Sequence, residues 1–263
     1  MLVYQQGLLI GYGANRFGMK LYTTLVISLM LFFSGSLKAQ YSMGVSGLLN
    51  TPSADMHTDG AFTGGGNYLP HEMLPDIFYH NTGNYFVNVT FLPFVEMTYR
   101  CTFFNAYYAT DKKGLQQDRS VSIKLQVLKE RTYIPSIAFG SNDAFTTYAI
   151  NPLHAPRDNR YFASLYGVVT KNIPLGNHRL GFTTGYYFPM KGNVLKNGVF
   201  GGIRYVPGFL PQMELMAEYD SEKINIGFSA LLFNHIRLHV FSYDFENVSA
   251  GIRYEFILIP HHQ

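Results

Sequence analysis

The stretch ENVSAGIRYEF, Glu246 to Phe256, decides how this chain is read. As an extended strand it sends Val248, Ala250, Ile252, Tyr254 and Phe256 to one side, and Ser249, Gly251, Arg253 and Glu255 to the other, because strand side chains alternate. One face asks for apolar surroundings and the other for water or a charge partner. The fold depends on which face is inside.

The same alternation recurs along the chain. Val95, Met97, Tyr99, Cys101 and Phe103 alternate with Glu96, Thr98, Arg100 and Thr102, and Val121, Ile123, Leu125 and Val127 with Ser122, Lys124 and Gln126. Met213, Leu215, Ala217 and Tyr219 alternate with Glu214, Glu218 and Asp220, and Ile236, Leu238 and Val240 with His235, Arg237 and His239. No 3.6-residue period persists over three turns. About twelve strands are predicted, near residues 60–69, 84–92, 94–104, 120–128, 133–140, 161–170, 179–188, 199–206, 212–220, 223–232, 235–242 and 248–256. Those near 133–140 and 161–170 show the pattern poorly. Most have the roughly nine to eleven residues of a tilted membrane strand.

Composition agrees with strands. Aromatic residues reach 16%, as 20 Tyr and 22 Phe with no Trp, while charged residues are only 14%. A formal net charge of +3, without a run of Lys and Arg, argues against nucleic acid as a partner. The single Cys101 leaves no intramolecular disulfide to form.

The segment MKLYTTLVISLMLFFSGSLKAQ, Met19 to Gln40, has the anatomy of a secretory signal peptide: Lys20, an apolar run from Leu21 to Phe33, then small and polar residues. That run is too short to span a bilayer as a helix, which needs roughly 20 residues. Cleavage is expected near Ala39, and residues 1–18 are read as an upstream extension without function.

Connection lengths give a further test, because outer-membrane barrels have short periplasmic turns and longer extracellular loops. The second, fourth, sixth, eighth and tenth connections are short: around Pro93, KERT, NIPLGN, PGFLP and FN. The first, third and fifth are long: PHEMLPDIFYHNT, NAYYATDKKGLQQ and SNDAFTTYAINPLHAPRDN; the seventh, ninth and eleventh are moderate, very short and short, so the asymmetry is clear only in the first half. The expected fold is therefore all-β, an antiparallel transmembrane β-barrel of about twelve strands in the outer membrane of a Gram-negative bacterium, preceded by a cleavable signal peptide. Its expected layout is residues 1–39 as extension plus signal peptide, 40–59 irregular, 60–256 as barrel and 257–263 as a tail. Apolar faces would meet outer-membrane lipid, while Glu96, Arg100, Lys124, Arg204, Glu214, Glu218, Arg237, Arg253 and Glu255 would line the lumen as a charge network. A soluble periplasmic ligand-binding β-protein, with the apolar face as core, is the alternative that alternation alone leaves open.

Two resemblances add to this reading. Ser249, Gly251, Tyr254 and Phe256 have a spacing that resembles the last-strand insertion signal of bacterial outer-membrane barrels, which implies the barrel-assembly machinery as a partner. The segment GVSGLLNTPSADMHTDGAFTGGGNYLP, through Gly47, Asn50, Thr51, Pro52, Ser53, Ala54, Asp59 and Gly60, resembles the start of the YjbH-like outer-membrane proteins. MAEYDSEKINIGFSALL, with Glu218, Tyr219 and Asp220, resembles later barrel strands of that family. The resemblance implies help with secretion or assembly of an exopolysaccharide, or with cell-envelope organisation, and a polysaccharide or its export machinery as partner. Physically, LLNTPSADMHTDG is an irregular, turn-rich segment, and it reads equally as a tether or as a partial plug.

Catalytic constellations are weak. His235, His239 and Ser242 are close in sequence and raise an outer-membrane lipid hydrolase or acyltransferase as an alternative. Two histidines without a third ligand at a diagnostic spacing do not make a metal site. Glu214, Glu218 and Asp220 are expected to face Arg204, Arg237 or Arg253 across neighbouring strands rather than to act as a glycosidase pair. Gly64 to Gly66 is read as a strand bend or close backbone approach. NPLHAPRDNRY is the best loop for surface recognition, its Tyr and Arg being suited to stacking on sugars. A non-enzyme with no cofactor and no metal is the resulting expectation.

Overall fold

In the computed structural model, residues 40–75, 78, 80–107, 113–145, 160–190 and 196–258 are described. Residues 1–39, read from the sequence as an extension and a signal peptide, lie outside them.

Twelve strands run in chain order: β1 (Ala61–Leu69), β2 (Thr82–Phe91), β3 (Val95–Tyr107), β4 (Lys113–Leu128), β5 (Ser136–Phe145), β6 (Ser164–Leu175), β7 (His178–Pro189), β8 (Gly198–Val206), β9 (Met213–Tyr219), β10 (Ile224–Leu232), β11 (Ile236–Tyr243) and β12 (Asn247–Ile257). Each pairs antiparallel with its sequence neighbours, and β1 closes on β12 with Ala61 opposite Ile257 and Tyr68 opposite Ala250. Closure leaves no sheet edge exposed.

The opening question is settled by β12. Val248 and Ile252 are 59% and 56% exposed on the outer wall, whereas Arg253 and Glu255 are 2% and 0% exposed inside. The outward set of the other strands is also apolar, including Met97, Tyr99, Leu125, Val127, Phe139, Phe182, Ile203, Leu215, Ile226 and Phe228. A contiguous apolar wall of this kind is rare on a soluble monomer.

The poor alternation near 161–170 has a physical reason. There both faces are apolar: Tyr166 and Val168 point inward and pack with Tyr187, Phe200, Ala138 and Ala54, so this side of the interior is a dry core. Three connections also differ from the sequence reading: in SNDAFTTYAINPLHAPRDN, Ser141 to Phe145 continue β5. NAYYATDKKGLQQ is mostly strand, because β3 and β4 stay in register out to Tyr107 opposite Lys113. NIPLGN tightens to a turn at Gly176 and Asn177, because β6 runs to Leu175 and β7 starts at His178. Gly65 does mark a close approach: a Cβ there would fall 2.7 Å from that of Arg253 on β12. The connections after β2, β4, β6, β8 and β10 and both barrel termini gather at one end, and the connection between β1 and β2 with its 3-10 turn (His71–Met73) lies at the other, together with the short turns after β9 and β11.

The turn after β11 places Asp244 and Phe245 at φ 52° and 62°, the left-handed pair of a type I′ hairpin that favours Asn and Gly. Phe245 is strained there and 64% exposed. Phe245→Asn is expected to stabilise the barrel by about 1 kcal/mol, read as a higher urea midpoint by circular dichroism of the detergent-folded protein.

Candidate functional site: the plugged lumen

Residues 40–57 lie inside the barrel, and nearly all of them are buried. The segment folds on itself through short loops rather than regular structure. Tyr41 N donates to Val45 O at 3.1 Å, Leu48 N to Thr51 O at 2.8 Å, and Gly47 and Pro52 form an isolated bridge. Gly47 is required by this packing, since a Cβ would collide with the Thr51 carbonyl and the Tyr41 ring. Its apolar residues Tyr41, Met43, Val45, Leu48 and Leu49 join Phe104, Phe162, Met216, Phe241 and Tyr243 in one core. Asp59 and Gly60 make the turn into β1, where Gly60 N donates to Thr90 O at 3.0 Å.

A buried irregular segment carries many backbone polar groups with no water to satisfy them. Inward side chains of the wall take that role. Glu96 accepts from Ser46 N at 2.9 Å, Ser46 Oγ at 2.7 Å and His57 N at 2.8 Å. Lys124 pairs with Glu96 at 3.1 Å and donates to the carbonyls of Ser46, Ser53 and Asp55. Gln126 donates to Ala54 O at 2.7 Å, and Thr170 accepts from Ala54 N at 2.9 Å. Arg253 donates to Gln40 O at 2.7 Å, and Asn67 and Asn84 both donate to Ser42 O.

Glu218 binds differently from the sequence reading. Its carboxylate accepts from Leu49 N at 3.1 Å, Asn50 N at 2.6 Å, Thr51 Oγ1 at 2.8 Å and Asn225 Nδ2 at 3.0 Å, and no arginine pairs with it. Strand register is the reason: Glu218 stands opposite Gly202, and Arg204 opposite Met216. A Cβ on Gly202 would meet both Glu218 and plug Leu48 at 2.7 Å, so this glycine makes room for the plug against the wall. Arg204 instead pairs with plug Asp55 at 2.6 Å, where Asn172 joins both. Asp220 accepts from Asn50 Nδ2 at 2.5 Å and from Lys196 Nζ at 3.0 Å, and Lys196 also donates to Asn50 O. The two segments quoted for their family resemblance are thus bonded to each other, NT of the plug to EYD of β9 and its turn.

Other expected lumen residues form a second group. Arg237 and Arg253 stand directly opposite on β11 and β12, and Glu255 Oε1 bridges them at 3.1 and 3.0 Å. Glu214 lies 3.8 Å from Arg237. Arg100 lies 3.7 Å from Asp118 and 4.1 Å over the Phe162 ring. Of the insertion-signal-like residues, Ser249 bonds Tyr68 O at 2.7 Å and Gly251 faces His239, while Tyr254 and Phe256 lie on the outer face beside Phe62.

The three residues of the hydrolase alternative lie apart. His239 points inward, Ser242 belongs to the outward set of β11, because its spacing from His239 is odd, and His235 lies in the turn before β11 with its ring stacked 5.6 Å from that of Tyr254. His235 Nδ1 bonds the Glu255 carbonyl at 2.9 Å, and neither ring nitrogen of His239 has a hydrogen-bond partner. Among the described residues no group of three metal-ligating side chains gathers. The loop singled out for sugar stacking lies mostly outside the described residues; its Arg160 and Tyr161 face inward, Arg160 to Ala144 O at 3.0 Å and Tyr161 against Phe78 and Phe104. Asp55, Asn172 and Lys196 were missed by sequence reasoning. Asn172 carried a signal, since it shares inward parity with Thr170.

A family model described as "YjbH: Exopolysaccharide biosynthesis protein YbjH" matches residues 39–254. The chain belongs to the YjbH family. The matched region covers both the plug and the barrel up to Tyr254 of β12. Among solved structures, the outer membrane phospholipase A from Escherichia coli is similar at 11% identity with a TM-score of 0.31, over 76% of this chain and 96% of that one. The Salmonella typhi outer membrane phospholipase dimer with bound calcium is similar at 12% identity with a TM-score of 0.32, over 75% and 90%. No curated protein matches.

Lys124→Met leaves the Glu96 carboxylate buried without its cation and is expected to cost about 3–5 kcal/mol. The double variant Glu96→Gln with Lys124→Met is expected to cost less than the two single changes summed, read from urea unfolding by circular dichroism. The contact of Asp220 with Asn50 and Lys196 also responds to acid. Burial pushes the Asp220 carboxyl up, but Lys196, the Lys223 amide and Asn50 outweigh it and hold it below the ordinary 3.8. A depressed carboxyl contributes stability above its ordinary value and loses it as pH falls through its folded value. Wild type is therefore expected to lose stability below about pH 4, and Asp220→Asn to start lower and change less across that window.

Proposed function

We propose that this member of the YjbH family is a non-enzymatic barrel of the outer membrane that assists secretion or assembly of an exopolysaccharide. The observation that carries the reading is the inverted arrangement of the wall: a continuous apolar exterior around a charged interior that holds the chain's own N-terminal segment. Lipid suits such an exterior, and a closed sheet satisfies every strand's backbone within it. The alternative of a soluble periplasmic protein would leave Tyr99, Val127, Phe182 and Ile252 in water.

Membership of an exopolysaccharide family supports the role in polymer handling. The separation of Ser242 from His239 across the wall supports a non-catalytic reading. The plug fills the part of the lumen that a polymer would need, so passage through this barrel would require the plug to move, whereas a role beside the export path would not.

Two measurements test the reading. The expressed protein is expected in the outer-membrane fraction, with a gel band that shifts on boiling; a soluble protein without that shift overturns the membrane assignment. Deletion of the gene is expected to lower extracellular polysaccharide, and a His239→Ala, Ser242→Ala double variant to restore it fully. Unchanged polysaccharide in the deletion strain overturns the role.

A further inference from the structure

The outer wall carries a feature that the plug does not explain. Beside the connection between β4 and β5 lies a groove of about 840 Å³, lined by Val169, Ile173, Phe182 and Ile203 and bordered by Tyr133. Its size falls within the roughly 300–1,000 Å³ of small-molecule sites. The groove is continuous with the apolar exterior, and Tyr133 beside it is 93% exposed.

Lys171 also lines this groove. In β6 the inward residues are Ser164, Tyr166, Val168 and Thr170, so Lys171 belongs to the outward set with Val169 and Ile173. An ammonium on an apolar outer face needs partners, and the connection supplies them: Glu130 Oε1 at 2.9 Å and Arg131 O at 2.8 Å. Asn172 holds the Glu130 carboxylate through its backbone N–H and its Nδ2, both at 2.7 Å. Two of the three ammonium hydrogens are thereby used and the third is available. Lys129 and Arg131 are exposed in the same connection, on either side of Glu130 in sequence, so the connection and Lys171 together carry three cations and one carboxylate.

The connection lies at the end that holds both barrel termini, where Phe91, Phe94, Phe209 and Phe233 are also exposed. Aromatic residues and basic side chains together are the chemistry of a membrane interface, where rings sit at headgroup level and cations meet phosphate. We propose that this groove is a site for one glycerophospholipid, with an acyl chain along Val169, Ile173, Phe182 and Ile203 and the phosphate taken by Lys171 in the groove and by Arg131, exposed in the adjoining connection next to Thr132 of the lining. The inference rests on the reading that the outer wall stands in lipid.

The test is native mass spectrometry of the detergent-folded barrel titrated with phosphatidylglycerol. One lipid is expected to be retained ahead of any others. Arg131→Ser combined with Lys171→Ser is expected to weaken that binding roughly tenfold or more. Arg131→Ser alone keeps the Lys171–Glu130 pair and so the local fold; it is expected to weaken binding by a smaller factor, and Ile203→Trp to block it with all cations in place. Each variant is checked by its gel shift on boiling. Equal retention by wild type and variants, or a graded series of lipids with no preferred first one, overturns the site. Displacement of the lipid by inorganic phosphate reduces it to a phosphate site and overturns the acyl groove. Failure of the membrane reading shows separately, as wild-type protein that stays soluble without detergent.

Discussion

Backbone polarity in a closed space governs this structure. Residues 40–57 fill the lumen without forming a helix or joining the sheet, so their amides and carbonyls must find partners on the wall. Glu96 and Lys124 serve one part of the segment, Glu218 and Asp220 another, and Arg253 and Gln126 the remainder. Glu96, Lys124, Glu218 and Arg253 are compensated by plug groups as well as by other wall residues, while Arg237, Glu214 and Glu255 pair within the wall. Wall and plug are one electrostatic unit.

That unit divides the interior. Around Glu96, Lys124, Arg204 and Glu218 it is polar and almost fully bonded, while Tyr166, Tyr187 and Phe200 make a dry patch against Ala54. The plug is thus held by two kinds of force with different responses. Charged bonds set its position through direction and register, and apolar burial adds attachment that does not depend on direction. A change that displaced the plug would have to break both.

Much of the barrel was legible because strand parity is a local property. The outward faces of Val95 to Phe103 and of Val248 to Phe256 follow from a period of two, and the inward charges follow with them. Strand ends were less legible. Asn105 to Tyr107 and Lys113 to Leu115 read as loop by composition, yet they pair, because a register already set by the preceding residues extends without a new entropic cost of closure. The poor alternation of β6 concealed nothing irregular: Tyr166 and Val168 face an apolar part of the plug, and an inward apolar residue looks the same in sequence as an outward one.

The sequence by itself determined that the chain is a set of about twelve alternating strands with one apolar and one polar face, and that a turn-rich segment precedes them. Only the tertiary structure decided that this segment lies within the lumen, that Glu218 binds the amides of Leu49 and Asn50 and not an arginine, and that Arg204 reaches Asp55. Alternation states which face a side chain occupies. Which groups meet across that face depends on strand register and on a partner 149 to 169 positions away in sequence, and neither leaves a local trace.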